Sequence, residues 1–112
     1  MKQIRKEQAL AAIRNGEFGG AIIRSTDRVA VILTQSWCPQ WHAMRQFVAD
    51  IPAAEVWLLE YDRVDYSDAF RAFKETVLGS DQVPYIRYYS AGHLVAQSNA
   101  VSEETFFRNL GH

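Results

Sequence analysis

A second cysteine is what this 112-residue chain lacks. Its one cysteine, Cys38, excludes an internal disulfide and a four-thiolate metal site. Any disulfide must form with another molecule. A charge excess is missing too: twelve basic and thirteen acidic side chains leave a formal charge of -1. That balance offers no field to attract nucleic acid or anionic lipid, so neither is an expected partner. No apolar run approaches the ~20 residues needed to cross a bilayer. The opening stretch MKQIRKEQALAAIRNG is a mixed polar helix pattern without a secretory apolar region, and a cytoplasmic location is expected. The length suits one domain over residues 1–112, with an N-terminal helix over 1–16 and a core over about 20–110.

What is present is an ordinary globular balance, 48% apolar and 22% charged. Helical spacing runs from Ile4 to Arg14, and Gly16, Gly19 and Gly20 end it. Two β-rich runs follow, Ala21 to Arg24 and Val29 to Thr34. Within the second, Val29 to Leu33 is continuously apolar, as in a central strand buried on both faces. Pro39 to Asp50 is helical, with Met44, Phe47, Val48 and Ile51 on one side, and Pro52 stops it. Glu55 to Tyr61 reads as a strand. Asp65 is placed to cap a helix whose apolar face is Tyr66, Ala69, Phe70, Phe73 and Val77, and Gly79 ends it. Pro84 to Tyr89 and His93 to Gln97 flank a tight Ser-Ala-Gly turn. Ser102 caps a last helix through Phe106, Phe107 and Leu110, closed by Gly111. Strands alternating with helices imply an α/β fold with parallel crossovers, helices on both faces and a final antiparallel hairpin.

Cys38 falls where the apolar strand meets the helix. Proline is favoured at the first helical position, so Pro39 places Cys38 at the N-cap. A cap side chain faces the unpaired N–H groups of the first turn, and these, with the positive end of the helix dipole, favour thiolate over thiol. His42 lies one turn on, roughly 40° around the helix, where an imidazolium would add to that effect. The same positions have plainer readings: Cys38 as an inert small apolar residue, His42 as a solvated helix residue, Trp41 as core packing. Cys38 and His42 could begin a metal site, but no third and fourth ligand converge in the pattern, so no metal is expected. Trp57 is expected to pack in its strand. Tyr85, Tyr88 and Tyr89 suit sheet packing better than base stacking. Arg87 in mid-strand needs an edge position or a carboxylate partner.

Together VAVILTQSWC, QVPYIRYYSAGHLV and AVSEETFFRNL, in this order and spacing, resemble the thioredoxin family over roughly Ala21 to Leu110. The resemblance implies a thioredoxin-like fold: a central mixed sheet of four to five strands, helices on both faces, a C-terminal hairpin, and here an N-terminal helix ahead of the first strand. It makes Cys38 the counterpart of the attacking cysteine. It makes Pro84 the cis proline beside the sulfur, and Val83 the residue that offers backbone groups to a bound peptide. Trp37, Pro39 and Trp41 would complete the substrate rim. The family's second cysteine is replaced by Trp41, and its buried aspartate, six positions before the first cysteine, by Ile32. Cys-Pro-Gln-Trp also differs from the Cys-Gly-Phe-Ser of cluster-binding glutaredoxins, so an iron–sulfur cluster is not expected.

Two functions follow as expectations. One is thiol–disulfide exchange through Cys38, with the mixed disulfide resolved by an external thiol such as glutathione and no resident cofactor. The other is a binding or adaptor module that holds an extended peptide beside Pro84 without redox turnover. The expected partner is a protein or peptide disulfide or thiol. A homodimer linked through Cys38 is a third expectation.

Overall fold

The structure is a computed structural model and describes residues 1–48 and 51–111. Its strands are β1 (Lys2–Gln3), β2 (Arg28–Thr34), β3 (Ala54–Glu60), β4 (Tyr85–Ser90) and β5 (His93–Ser98). Its helices are α1 (Lys6–Asn15), α2 (Gly20–Ile23), α3 (Pro39–Val48), α4 (Ser67–Thr76) and α5 (Glu103–Leu110), with a 3₁₀ turn over Tyr61–Arg63. The sheet order is β1-β3-β2-β4-β5. β1 and β2 run parallel to β3, while β4 runs antiparallel to β2 and to β5.

β2 lies at the centre because it is apolar on both faces. Strand side chains alternate, and here Val29, Val31 and Leu33 enter one core while Ala30 and Ile32 enter the other. The first core is closed by α1, α2 and α4 through Ala9, Ala12, Ile22, Phe70 and Phe73. The second is closed by α3 and α5 through Trp41, Met44, Val48, Phe106 and Leu110. A fully buried isoleucine such as Ile32 contributes about 1.5–3 kcal/mol. Its register neighbours are Leu58 on β3 and Ile86 on β4.

Local chemistry sets the boundaries. Ser102 Oγ accepts from the Thr105 backbone N–H at 3.2 Å and starts α5, and Gly111 ends it at φ 95°. Ala91 and Gly92, at φ 50° and 81°, form the two-residue turn between β4 and β5. Two positive φ values fit the strand twist of a tight hairpin.

Several expectations give way. Ala21–Arg24 is not a strand. Gly20–Ile23 forms one helical turn that buries Ile22 and Ile23, and four apolar residues carry too short a pattern to separate the two periods. The N-terminal helix does not precede the first strand. β1 pairs Lys2 with Trp57 and Gln3 with Leu58, and Ile4 leaves the helix to fill the first core. Asp65 does not cap α4. Tyr66 holds that position without a side-chain bond, and Asp65 pairs with Lys6 at 3.0 Å. Ala69 and Val77 face solvent rather than the core. The expected end of α3 at Asp50 lies outside the described residues.

Candidate functional site

The loop from Gln35 to Trp37 connects β2 to α3 and ends at Cys38. The Cys38 N–H donates to the Gln35 carbonyl at 3.2 Å, closing a turn. The Cys38 carbonyl accepts from the His42 N–H at 3.1 Å, the first bond of the helix. That pattern defines an N-cap, with Pro39 exposed at the first helical position. The Cys38 side chain turns inward, and the residue is 3% exposed. Its Sγ donates to the Val83 carbonyl at 3.7 Å. The Val83–Pro84 peptide is cis and Pro84 is buried. Residues far apart in the chain thus meet at the sulfur because β2 and β4 are sheet neighbours.

The other expected site residues divide. Trp37 stands out of the surface at 62% exposure, and its indole N–H donates to Gln35 Oε1. His42 is exposed, and its Nε2–H donates to the Ser36 carbonyl at 2.6 Å. The imidazole therefore braces the loop, bonding backbone rather than the sulfur. Trp41 is not a rim residue. It is fully buried in the core behind Cys38, with its indole N–H on Glu60 Oε2 at 3.2 Å and Arg45 over its ring at 5.8 Å. Helical spacing explains this: three residues beyond Cys38, the side chain points back under the cap, toward Ile32. Trp41, three residues after Cys38, and Ile32, six before it, are thus packed side chains of one core.

A brace on the site loop lies beyond the sequence expectations. The Ser36 backbone N–H and Oγ–H both donate to the Asp62 carboxylate, at 2.7 and 2.5 Å. Burial alone would raise the Asp62 pKa, but the Ser36 side-chain and backbone bonds outweigh it and hold the carboxyl below its usual range. Beside it, the Gln35 amide donates to the Tyr61 hydroxyl at 3.2 Å. The 3₁₀ turn after β3 therefore holds the loop before Cys38. A short polar turn after a strand gives little sign of this in sequence.

Arg87 finds a carboxylate partner rather than an edge. It is 7% exposed on interior strand β4, and its Nη2 meets Glu17 Oε2 at 2.6 Å. Its Nε and Nη1 donate to the Tyr89 and Tyr85 hydroxyls at 2.8 and 2.9 Å. The Tyr89 hydroxyl in turn donates to Glu17 Oε1 at 2.7 Å. Burial would lower the Arg87 pKa, yet these bonds raise it, while burial raises that of Tyr89. This cluster fastens the segment between α1 and α2 to the sheet. Among the described residues no group of three His, Cys, Asp or Glu side chains converges as a metal site.

No family model matches the chain, and neither does any curated protein sequence. Its fold does match solved structures. A point mutant of a thioredoxin from Halobacterium salinarum superposes with TM-score 0.64 at 17% identity over 80% of this chain and 77% of that one. Thioredoxin O2 from Arabidopsis thaliana, oxidised, gives 0.67 at 13% identity over 96% and 88%. Mitochondrial thioredoxin 3 from Saccharomyces cerevisiae, also oxidised, gives 0.62 at 15% identity over 98% and 92%. The chain thus has a thioredoxin-like fold that carries a single thiol.

Proposed function

We propose that the chain is a one-thiol exchange protein acting through Cys38. The observation that carries the reading is the position of Cys38 at a helix N-cap with its thiol beside the cis Val83–Pro84 peptide. Helix N-termini favour thiolate, the form that attacks disulfides. The thiol loses its proton to solvent, and the thiolate attacks one sulfur of a partner disulfide. A bond from Cys38 to that sulfur forms, the partner's S–S bond breaks, and the second sulfur leaves as a thiolate and is protonated. An external low-molecular-weight thiol, glutathione or one like it, then attacks the mixed disulfide and returns Cys38 to the thiol. That thiol must come from outside, because the chain holds no second cysteine.

The test is incubation of the folded chain with glutathione disulfide, read by intact mass. One glutathione adduct per chain is expected, released by added thiol and absent from Cys38→Ser. If the folded chain stays unmodified while the denatured chain reacts, the reading is wrong.

A second reading draws on a different observation. Cys38 is nearly sealed, Trp41 and Ile32 close the space behind it, and Trp37 remains as an exposed aromatic at the start of the site helix. These features suit a module that binds an extended peptide without exchange. Under this reading, Cys38→Ser captures the partner as well as the native chain does, whereas Trp37→Ala does not.

A further inference from the structure

Lys74, in the last turn of α4, is fully buried. It makes no ion pair among the described residues. Its Nζ donates to the Ser80 carbonyl at 2.9 Å and lies 5.8 Å from the ring centroids of both Tyr61 and Tyr85. Enclosing an ammonium without a carboxylate is costly, and burial pulls its pKa below the usual lysine range, with Glu75 and Asp81 acting in the opposite sense. An apolar side chain would fill the same space without that cost. What the ammonium adds is the bond to Ser80 and its contacts with the faces of Tyr61 and Tyr85.

Ser80 begins the segment that reaches Cys38. Its backbone N–H donates back to the Lys74 carbonyl at 3.2 Å, so the segment is fastened to α4 in both directions. Its Oγ accepts from the Gln82 N–H at 3.3 Å. Next comes Val83, whose carbonyl meets the Cys38 thiol. On the other side of Lys74, Tyr61 holds Gln35 of the loop before Cys38. Lys74 therefore lies between the two segments that enclose the sulfur.

We propose that Lys74 is a buried positioning residue that fixes the Ser80–Pro84 segment against Cys38 and so sets how readily the thiol can be reached. This rests on the reading of Cys38 only in using its thiol as the reporter. Lys74→Met keeps the volume and removes the donor. It is expected to raise the rate of Cys38 alkylation by iodoacetamide severalfold, with a melting temperature equal to or above that of the native chain, since replacing a buried charge by a packed apolar group is often neutral or stabilising. A role in packing alone predicts an unchanged alkylation rate instead, because methionine fills the same volume. Ile22→Val, which weakens the same core away from the segment, is expected to leave the rate unchanged. An unchanged rate in folded Lys74→Met overturns the proposal, as does an equal rise in Ile22→Val. Should Lys74→Met fail to fold, the native chain decides. A fixed ammonium gives slowly exchanging Lys74 protons by NMR with contacts to Ser80, and a freely exchanging one overturns the assignment. Alkylation needs no disulfide partner, so the outcome is separate from whether glutathione disulfide reacts.

Discussion

Asp62 holds Ser36 by two hydrogen bonds, and its carboxylate is the only part of that latch that titrates in acid. Its folded pKa lies below that of a free aspartate. Its contribution is therefore complete above about pH 4 and lost as pH falls through the folded value. Lowering the pH from about 5 to about 2 is expected to shift the Ser36 amide proton upfield as the acceptor loses its charge. In Asp62→Asn that proton should already resonate upfield at neutral pH and stay there. A Ser36 signal that ignores both changes would remove the latch. At this scale the sequence is partly readable. Pro39 places Cys38 at its cap, because one residue with fixed φ decides the local conformation. The partners of His42, Gln35 and Ser36 are not readable. They depend on where the turn after β3 arrives, which is a tertiary fact.

Among the elements, α3 shows how packing overrides a motif. Trp41 occupies the place of a second thiol yet serves as the anchor of the helix on β3, through its ring and Glu60. Trp41→Cys would create a Cys-x-x-Cys spacing and empty most of a tryptophan's volume from the core. A loss of about 3–5 kcal/mol is expected, by analogy with truncation of large aromatic residues, read as the shift in guanidinium midpoint. Elements with long periodic patterns, α4 and α5, are legible, as is β2 by its unbroken apolar run. α2 and β1 are not. One is a single turn and the other two exposed polar residues, and each exists because a neighbour supplies the contacts.

For the molecule as a whole, alkaline pH is the sensitive direction. Burial raises the pKa of Tyr61, Tyr66, Tyr88 and Tyr89 above the free tyrosine value of 10.0. A group raised on folding stabilises fully below its unfolded value, and that contribution is lost as pH rises through the folded value. Lys74 acts oppositely: its folded pKa is lowered, so its penalty fades as pH rises toward the unfolded value of 10.5. The two effects fall in different windows, the lysine below about pH 10.5 and the tyrosines above about pH 10. Urea unfolding is expected to shift to lower midpoints as pH rises above about 10.5, where unfolded tyrosines ionise and the lysine penalty has already faded. A midpoint that rises over that range would contradict this. The aromatic run reads from sequence as sheet packing, which it is, but nothing there points to Glu17. That residue lies on the connection after α1, and only the closed fold brings it to Arg87.

Trp41 also bears on how this site can change. A single substitution to cysteine would impose a cavity before it conferred any resolving chemistry, and Ile32 would still exclude water and charge from the sulfur's underside. A compensating change elsewhere in the core would have to come first. The present packing resists a second thiol at this position. New chemistry at this site is more readily gained at the exposed rim, at Trp37 or Pro39, than by introducing a second thiol.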